Sequence, residues 1–426
     1  MDKFRIHGPS RLQGTVHASG AKNAALPALA AGLLFDQPLE LHRLPRVRDL
    51  RTMLQLLDCL GVAHEEIEGD PASGADALSV RLLPGHDLGP VEAPYDLVKT
   101  MRASVLALGP GVARRGSARV SLPGGCAIGV RPIDDHLRGL EALGADVELE
   151  HGYVTAKATR LRGAGFRFNY PSVTGTENVL MAATLAQGTS VLDNCAREPE
   201  IVDLAQLLNA AGARIEGAGE ERIVVEGVDS LDATTHTVIV DRIEAGTYLI
   251  GAAISRGDVT VLGAQPKHLE PLLEKLSEAG CDIDAKPDQI RVLSAERPRA
   301  RDVITSPHPG FPTDLQAQYV ALMTQAEGQC TVCETVFENR FQHVPELARM
   351  GAEIEVVGNR ASIHGPSKLS GANVMATDLR ASACLVLAGL VAEGETIVDR
   401  IYHLDRGYQK MESKLHSLGA RVERIR

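Results

Sequence analysis

A lone thiol close to an arginine is the feature of this sequence best suited to chemistry. The stretch 122–131 reads Leu-Pro-Gly-Gly-Cys-Ala-Ile-Gly-Val-Arg and contains Cys126 and Arg131. Glycine lets a backbone adopt positive φ angles and approach a ligand closely. Two interpretations are open at this point, because short motifs also occur by chance. The stretch is either a loop that closes over an anionic substrate or a surface turn with an unreactive cysteine.

Basic residues recur at the starts of helical patterns throughout the chain. Met-Arg-Ala-Ser at 101–104 returns as Leu-Arg-Ala-Ser at 379–382, and a lysine follows the Ser-Gly-Ala turn at 19–21. Helix N-termini present unpaired N–H groups and a partial positive charge, which favour anions. Guanidinium groups bind phosphate and carboxylate through two parallel hydrogen bonds. We therefore expect a substrate with several anionic groups. The six candidate cations are Lys22, Arg102, Arg131, Arg340, Arg380 and Arg406.

Six copies of one pattern must position these residues. Each copy has a leucine-rich amphipathic segment that ends at a glycine, and an alternating strand pattern follows. The glycines are 68 to 83 residues apart, and each is placed to end a helix in the left-handed conformation. Repetition at a regular spacing indicates repeated supersecondary units. The glycines are Gly61, Gly144, Gly212, Gly280, Gly351 and Gly419.

A second helix is predicted earlier in each copy. It is rich in Ala and Leu and carries little charge, and helices that are apolar on nearly all sides are buried. Six units of about 70 residues favour two domains of three units each. The predicted helices are Lys22–Leu34, Met101–Ala113, Glu177–Gln187, Ala245–Ser255, Asp314–Gln325 and Leu379–Ala392.

Composition excludes several classes of partner. The chain has 426 residues, of which 44% are hydrophobic and 23% charged, as in a soluble globular protein. A net charge of −11 argues against nucleic acid and anionic membranes as partners. Only seven Phe, seven Tyr and no Trp are present, so a platform for stacking bases is not expected.

The cysteine pattern and the N-terminus favour a cytoplasmic protein. Seven cysteines are scattered singly, except for the Cys-x-x-Cys pair Cys330 and Cys333. No second pair or histidine cluster completes a zinc site, so we expect no metal. The first residues lack an apolar signal core, and the apolar runs are too short to span a bilayer.

Seven phrases in fixed order make the chain resemble one enzyme family from end to end. With these motifs the sequence resembles the bacterial UDP-N-acetylglucosamine enolpyruvyl transferases, also called 1-carboxyvinyltransferases. The phrases are Ser-Gly-Ala-Lys-Asn-Ala at 19–24, Lys-Thr-Met-Arg-Ala-Ser at 99–104, Leu-Pro-Gly-Gly-Cys at 122–126, Gly-Phe-Pro-Thr-Asp-Leu-Gln at 310–316, Glu-Thr-Val-Phe-Glu-Asn-Arg-Phe at 334–341, Asp-Leu-Arg-Ala at 378–381 and Leu-Asp-Arg-Gly-Tyr at 404–408.

The resemblance implies an α/β fold with two domains, each a part of an inside-out α/β barrel built from six βαβαββ repeats, three per domain. The N-terminal domain is expected at residues 22–237 and carries the Cys126 loop. The C-terminal domain is expected at residues 1–21 plus 238–426, with the active site in the cleft between the two. The return of the first strand to the second domain agrees with the near identity of segments 6–14 and 363–371.

The resemblance also implies the reaction. The enolpyruvyl group of phosphoenolpyruvate would move to the 3-hydroxyl of UDP-N-acetylglucosamine with release of phosphate, the committed step of peptidoglycan precursor synthesis. These two small molecules are the expected partners, and the oligomeric state is left open. No metal or organic cofactor is implied, because side chains supply the cations.

Two residues receive catalytic roles from chemistry and resemblance together. Phosphoenolpyruvate must gain a proton at its methylene carbon before an alcohol adds to the neighbouring carbon. A thiol with a pKa of about 8.5 stays protonated near neutrality, so Cys126 is the expected general acid, as is its match in the family. The sugar hydroxyl needs a base, and Asp314 is the candidate. The alternative is that Asp314 is an ordinary helix N-cap.

Substrate-binding residues follow from the resemblance alone. Lys22, Arg131 and Arg406 are expected around the phosphate, with Asn23 beside Lys22, and Arg340 and Arg380 toward the carboxylate. The sequence departs from the family pattern at Asp135 and at Tyr170-Pro171, which bears on nucleotide affinity. The residues expected to contact UDP-N-acetylglucosamine are Arg102, Arg131, Pro132, Ile133, Asp134, Asp135, Ser172, Val173, Asp314 and Val336.

Two other functions were weighed against this one. A 5-enolpyruvylshikimate-3-phosphate synthase shares the architecture and the phosphoenolpyruvate chemistry, but its family has no cysteine on this loop, so Cys126 and Asn23 favour the nucleotide sugar. A non-catalytic paralogue that binds a UDP-sugar and regulates a partner is the second. The presence of Cys126, Asp314 and the arginine set argues against it.

Overall fold

The structure is a computed structural model that describes residues 2–68, 76–85, 91–93, 95–99, 101–122 and 133–426. These residues divide into two compact units. The N-terminal unit comprises the described residues from 19 to 239, and the C-terminal unit comprises residues 2–18 and 240–426. Each unit has a hydrophobic core of its own.

Groups of one to three strands are separated by helices along the described chain. The strands are β1 (Lys3–Gly8), β2 (Gln13–His17), β3 (Leu39–Leu44), β4 (Val62–Glu66), β5 (Leu78–Pro84), β6 (Val91–Ala93), β7 (Ser117–Ser121), β8 (Asp146–Glu150), β9 (Tyr153–Lys157), β10 (Gly165–Arg167), β11 (Thr189–Asp193), β12 (Arg214–Glu216), β13 (Arg222–Glu226), β14 (Thr234–Thr237), β15 (Asp258–Leu262), β16 (Asp282–Lys286), β17 (Gln289–Leu293), β18 (Val303–Ile304), β19 (Gly328–Cys333), β20 (Glu353–Val357), β21 (Arg360–Gly365), β22 (Asn373–Met375), β23 (Gly394–Asp399) and β24 (Arg421–Ile425). The α-helices are α1 (Lys22–Ala31), α2 (Arg48–Cys59), α3 (Tyr95–Val98), α4 (Leu108–Arg115), α5 (Asp134–Ala142), α6 (Val173–Thr184), α7 (Pro199–Ala210), α8 (Arg242–Ile254), α9 (Glu270–Glu278), α10 (Gln316–Gln325), α11 (Val344–Arg349), α12 (Leu379–Val391) and α13 (Met411–Ser417). Short 3₁₀ helices cover Gly32–Leu34, Arg102–Ala107, Pro266–His268, Thr313–Leu315 and Leu404–Arg406.

The described strands of each unit form three four-stranded sheets that share one plan. In each sheet one edge strand lies parallel to its neighbour, and the other two pairings are antiparallel. This sixfold repetition confirms the α/β class and the repeated units predicted from the glycine spacing. The strand orders are β14-β3-β5-β4, β6-β7-β9-β8 and β10-β11-β13-β12 in the N-terminal unit, and β16-β17-β15-β2, β18-β19-β21-β20 and β22-β23-β1-β24 in the C-terminal unit.

The start of the chain completes two sheets of the C-terminal unit. Strand β1 lies between β23 and β24, where Ile6 pairs with Thr396 on one side and Val422 on the other. Strand β2 lies parallel to β15. Phe4 and Ile6 alternate along β1 and are fully buried, as expected for a central strand with one face on the core.

Three apolar helices pack against one another at the centre of each unit. In the C-terminal unit these are α8, α10 and α12, and in the N-terminal unit α1, α6 and the segment formed by 102–107 and α4. Every residue from Ile243 to Ile254 in α8 and from Arg380 to Leu390 in α12 is buried. The prediction that these segments are core helices is confirmed.

Two of these helices differ from their predicted bounds more than the others do. The predicted helix Met101–Ala113 is a 3₁₀ helix followed by α4, with Pro110 in the first turn of α4. Proline has no N–H to donate and is best tolerated in the first turn of an α-helix, so Pro110 favours the start of α4 close to it. Helix α6 begins at Val173, four residues before the predicted start, because Ser172 caps it by accepting a 3.2 Å hydrogen bond from the Gly175 N–H.

The glycines that end the amphipathic helices adopt the predicted left-handed conformation. Their φ angles are 78° at Gly61, 92° at Gly144, 97° at Gly212, 99° at Gly280, 98° at Gly351 and 91° at Gly419. A side chain at these positions would be strained, so glycine is the residue that lets each copy turn from helix to strand.

Replacing Gly20 with alanine is expected to lower the free energy of unfolding by about 1–3 kcal/mol. Gly20 lies just before α1, and a Cβ there would overlap the backbone carbonyl of Arg43, which cannot rotate away as a side chain can. Urea denaturation checks this result. The matched control is Gly165→Ala in β10, where a Cβ would meet nothing within 4 Å. Equal stability of the two variants would contradict the close backbone approach at Gly20.

The Cys-x-x-Cys pair and the apolar helices can be compared with their sequence predictions in the described residues. Cys330 is buried, Cys333 is half-buried, and both are free thiols. Residues three apart on a strand point to opposite faces, so the Cys-x-x-Cys pair of β19 does not converge. None of the helices in the described ranges has the length and apolarity needed to cross a bilayer.

Candidate active site

A carboxylate between two guanidinium groups is the strongest polar cluster of the C-terminal unit. Arg340 Nη2 donates to Asp314 Oδ1 at 2.8 Å, and Arg380 Nη2 donates to Asp314 Oδ2 at 2.7 Å. Both arginine side chains are only 5% exposed, whereas that of Asp314 is 27% exposed. Three residues that the sequence predicted to act on substrate therefore form a single cluster.

Each member of this cluster is held by a different element. Asp314 lies in the 3₁₀ helix Thr313–Leu315 that leads into α10, and Arg380 lies in the first turn of α12. Arg340 lies between β19 and α11 and places its guanidinium 5.3 Å from the ring centre of Phe337. The Arg380 guanidinium lies 5.6 Å from the ring centre of Tyr408.

Asp314 does not cap a helix. Helix α10 has no side-chain cap, and both Asp314 oxygens accept from arginines instead. At the equivalent place in the next repeat, Asp378 caps α12 by accepting from the N–H groups of Arg380 at 2.8 Å and Ala381 at 3.0 Å. The N-cap alternative raised by the sequence is therefore wrong for Asp314, although it describes Asp378.

The two arginines control the charge of Asp314. Burial by itself would raise the pKa of this carboxyl, but the charges of Arg380 and Arg340 outweigh burial and hold the pKa well below its usual range. For Arg380, burial lowers the guanidinium pKa, and the Asp314 carboxylate more than compensates and raises it. In this arrangement Asp314 is ionised and, as a very weak base, holds its two partners rather than accepting a proton.

Glu334 is a buried carboxylate that organises the segment leading to Arg340. Its oxygens accept from Thr305 Oγ1 at 2.9 Å, from Thr313 Oγ1 at 2.8 Å and from the Val336 N–H at 2.8 Å. Thr313 Oγ1 in turn accepts from Arg340 Nη1 at 3.3 Å. Because a hydroxyl that donates to a carboxylate has its lone pairs free, Thr313 can hold Arg340 Nη1 while Asp314 holds Nη2.

A second network of hydrogen bonds lies next to Arg380. Gln318 Nε2 lies 3.1 Å from Thr247 Oγ1, from Tyr408 Oη and from the Asp314 carbonyl oxygen. Tyr408 Oη and Thr247 Oγ1 are 2.9 Å apart. Burial raises the pKa of Tyr408 despite the nearby Arg380 charge, so the phenol is neutral. Helices α8 and α10 and the segment before α13 are thereby joined around the cluster.

In the N-terminal unit, the predicted basic residues lie at the starts of the core helices. Lys22 is the first residue of α1, is 13% exposed and pairs with Asp49 of α2 at 3.6 Å. Asn23 follows it in the same turn, and Arg102 is the first residue of the 3₁₀ helix that packs against α1. These residues therefore lie at helix N-termini, where the sequence placed them.

Asp135 ties the start of α5 to the loop before α6. Its Oδ2 accepts from the N–H groups of Asn169 at 2.9 Å and Tyr170 at 3.5 Å, and its Oδ1 accepts from Arg138 at 2.7 Å. Ser172 and Val173 begin α6 at the end of this loop. The sequence departs from the family pattern at Asp135 and at Tyr170. The carboxylate of Asp135 therefore holds the loop that contains Tyr170.

The other predicted site residues lie at helix ends, next to Glu334, or outside the described residues. Ile133 and Asp134 begin α5, Val336 donates its N–H to Glu334, and Arg406 ends the half-buried 3₁₀ helix Leu404–Arg406. Cys126, Arg131 and Pro132 lie outside the described residues. Within the described ranges, no group of three or more His, Cys, Asp or Glu side chains is arranged to hold a metal ion.

The profile of the family described as EPSP synthase (3-phosphoshikimate 1-carboxyvinyltransferase) matches residues 6–415. The chain belongs to the EPSP synthase family. Carboxyvinyl transfer, which is enolpyruvyl transfer, is the reaction type that this family membership supports.

Solved structures of EPSP synthases and a related transferase share the whole fold. The enolpyruvyl transferase NikO from Streptomyces tendae is 26% identical, with a TM-score of 0.88, over 100% of this chain and 99% of its own. Two structures of EPSP synthase from Acinetobacter baumannii are 18% identical, with TM-scores of 0.76 and 0.77, over the full length of both chains. The latter two likenesses show the fold alone.

Sequence reasoning missed the supporting residues of this EPSP synthase family site. Glu334, Thr313 and Asp49 were not predicted to act near substrate, although Glu334 opens one of the family phrases and Thr313 precedes Asp314 in another. Glu334 directly follows the alternating pattern of β19, and a carboxylate at that position is a signal that could have identified it, since buried carboxylates need partners.

Proposed function

We propose that this member of the EPSP synthase family transfers the enolpyruvyl group of phosphoenolpyruvate to the 3-hydroxyl of UDP-N-acetylglucosamine. The observation that carries the phosphoenolpyruvate part is the buried arginine pair, Arg340 and Arg380, which suits a carboxylate. The nucleotide-sugar part rests on the resemblance carried by Cys126 and Asn23. Peptidoglycan precursor synthesis in the cytoplasm belongs to the same proposal.

Different residues carry out the proton transfers and hold the phosphate in the proposed reaction. Cys126 gives its proton to the methylene carbon, and the 3-hydroxyl oxygen adds to the neighbouring carbon as Asp314 takes the hydroxyl proton. Phosphate then leaves with the proton that Asp314 had taken, and the Cys126 thiolate removes a proton from the new methyl group, which restores the double bond and the thiol. Lys22, Arg131 and Arg406 hold the phosphate, with Asn23 beside them, and no cofactor is needed because these cations stabilise the developing charge.

The nucleotide would lie against the segments that flank Asp135 and Ser172. The carboxylate of Asp135 is already engaged by loop N–H groups and by Arg138, so its contribution is to hold the loop in place. The residues proposed to contact UDP-N-acetylglucosamine are Arg102, Arg131, Pro132, Ile133, Asp134, Asp135, Ser172, Val173, Asp314 and Val336.

Shikimate-3-phosphate is the second candidate acceptor. It is favoured by the description of the matching family. It is disfavoured by Cys126, which the resemblance assigns to nucleotide-sugar enzymes.

Phosphate release from phosphoenolpyruvate tests the acceptor. We expect release by the purified protein with UDP-N-acetylglucosamine and none with shikimate-3-phosphate. Release with shikimate-3-phosphate alone would overturn the acceptor and leave the reaction type intact. No release with either acceptor, together with measurable UDP-sugar binding, would favour a non-catalytic binding protein.

A further inference from the structure

The two guanidiniums proposed to hold the substrate carboxylate are already occupied by a carboxylate of the protein. Asp314 engages Arg340 with one oxygen and Arg380 with the other, at 2.8 and 2.7 Å. This arrangement is what a bound carboxylate would adopt with the same pair. It does not follow from local sequence, because the equivalent Asp378 caps its own helix instead.

We propose that the Asp314 carboxylate occupies the position of the substrate carboxylate in the unliganded protein. Phosphoenolpyruvate then displaces Asp314 from Arg340 and Arg380. The displaced Asp314 is then available to accept the proton of the acceptor hydroxyl. The inference rests on the proposed function, since it assumes that the arginine pair binds phosphoenolpyruvate. It adds an order of events, in which the base becomes competent only after the enolpyruvyl donor has bound.

The burial of the three side chains indicates which one moves. Asp314 is 27% exposed, and each arginine is 5% exposed. Arg340 has a second anchor, because its Nη1 donates to Thr313 Oγ1, which is held by Glu334. Arg380 lies on the first turn of α12 with its guanidinium near the Tyr408 ring. The arginines are therefore supported independently of Asp314, and Asp314 has no other side-chain hydrogen bond within the described residues.

Arg380 also has a hydrogen-bond donor that a bound substrate carboxylate could use. Arg380 Nη1 is buried and has no hydrogen-bond partner among the described residues. A buried donor left unsatisfied is costly, so a site with a spare guanidinium N–H is better satisfied with a ligand than without one.

Displacement from the two arginines changes the basicity of the Asp314 carboxylate. While both arginines hold it, its pKa lies well below the usual range and it is a very weak base. After the exchange it has lost two cationic partners and faces a second carboxylate, and both changes favour its protonated form. Several other ionisable groups lie around the cluster. They are Glu334, Asp241, Asp378 and Tyr408.

The competing arrangement is one in which Asp314 keeps its arginines and the substrate carboxylate binds beside it. The two arrangements make opposite predictions for a neutral, isosteric variant. If Asp314 competes with substrate, Asp314→Asn removes a competitor and strengthens binding. If Asp314 merely coexists with substrate, the variant leaves binding unchanged or, through disordered arginines, weakens it.

Calorimetric titration with phosphoenolpyruvate in the absence of any acceptor measures this difference. We expect Asp314→Asn to bind about 10- to 100-fold more tightly than wild type, the value of one or two charged hydrogen bonds. Asp282→Asn, an exposed residue of β16 in the same unit, controls for the lost charge and should bind as wild type does. Equal or weaker binding by Asp314→Asn would overturn the exchange.

A second measurement covers the case in which Asp314→Asn does not fold. In a crystal structure of wild-type protein with phosphoenolpyruvate, we expect the substrate carboxylate on both guanidiniums and the Asp314 carboxylate on neither. Retention of the 2.7 and 2.8 Å contacts with ligand bound would refute the proposal. Failure of the proposed function is distinguishable, because it would show as no phosphoenolpyruvate binding by wild type, or as binding without turnover on UDP-N-acetylglucosamine.

Discussion

Replacing Asp314 with asparagine is expected to lower the free energy of unfolding by about 3 kcal/mol at pH 7. The substitution leaves the nearly buried guanidiniums of Arg340 and Arg380 facing one another with no counter-ion between them. Removing one partner of a buried ion pair is costly because the remaining charge stays desolvated. Urea denaturation measures the loss as a lower midpoint at unchanged slope. Asp282→Asn, which removes an exposed charge from the same unit, should cost much less.

The pH dependence of this loss follows from the lowered pKa of Asp314. Because the folded-state pKa is depressed, the stabilisation by Asp314 is fully present above the unfolded-state pKa of about 3.9 and is lost as pH falls through the lower folded value. The stability difference between wild type and Asp314→Asn should therefore be constant from pH 7 to about pH 5 and shrink in more acid solution. A difference that already shrinks between pH 7 and 5 would show that the arginines do not hold the carboxylate as described.

Replacing Cys126 with alanine is expected to reduce turnover by about 10²–10⁴-fold, the usual contribution of a general acid. Cys126→Asp should keep substantial turnover, because a carboxylic acid can also deliver the proton to the methylene carbon. The same variant should lose sensitivity to thiol-alkylating epoxide phosphonates such as fosfomycin. Steady-state kinetics with phosphoenolpyruvate and the acceptor that releases phosphate, measured with and without fosfomycin, checks both results.

Cys59 provides the matched control for the cysteine variants. It is an exposed free thiol at the end of α2, so Cys59→Ser should retain both turnover and sensitivity to the epoxide. Turnover by Cys126→Asp as low as that of Cys126→Ala would argue against proton donation as the main task of this residue.

Much of the fold could be predicted because its signals are local. Apolar segments with almost no charge identified the core helices, and the six glycines identified where helices turn into strands. The bounds were less certain where polar residues interrupt a pattern, as in α6, whose first turn contains Thr174, Gly175 and Thr176. The break before α4 was also missed, because one proline at 110 was outweighed by the apolar run around it.

The order of strands within each sheet is not a local property. Strand β1 lies beside β23 and β24, more than 380 residues away along the chain. The sequence indicated such a return only through the duplicated phrase at 6–14 and 363–371. Hydrogen-bond pairing between distant strands depends on the packing of the whole unit, so the sequence pattern alone does not decide it.

The sequence by itself determined the sixfold repetition, the buried helices, the family and the set of charged residues available for chemistry. The tertiary structure decided how those charges combine. Thr313-Asp314 and Thr377-Asp378 read alike in the sequence, yet Asp378 caps its helix and Asp314 bridges two arginines that are 26 and 66 residues away. Helix periodicity and turn chemistry act within a few residues and can be read along the chain, whereas the balance between burial and opposite charge depends on which side chains folding brings together.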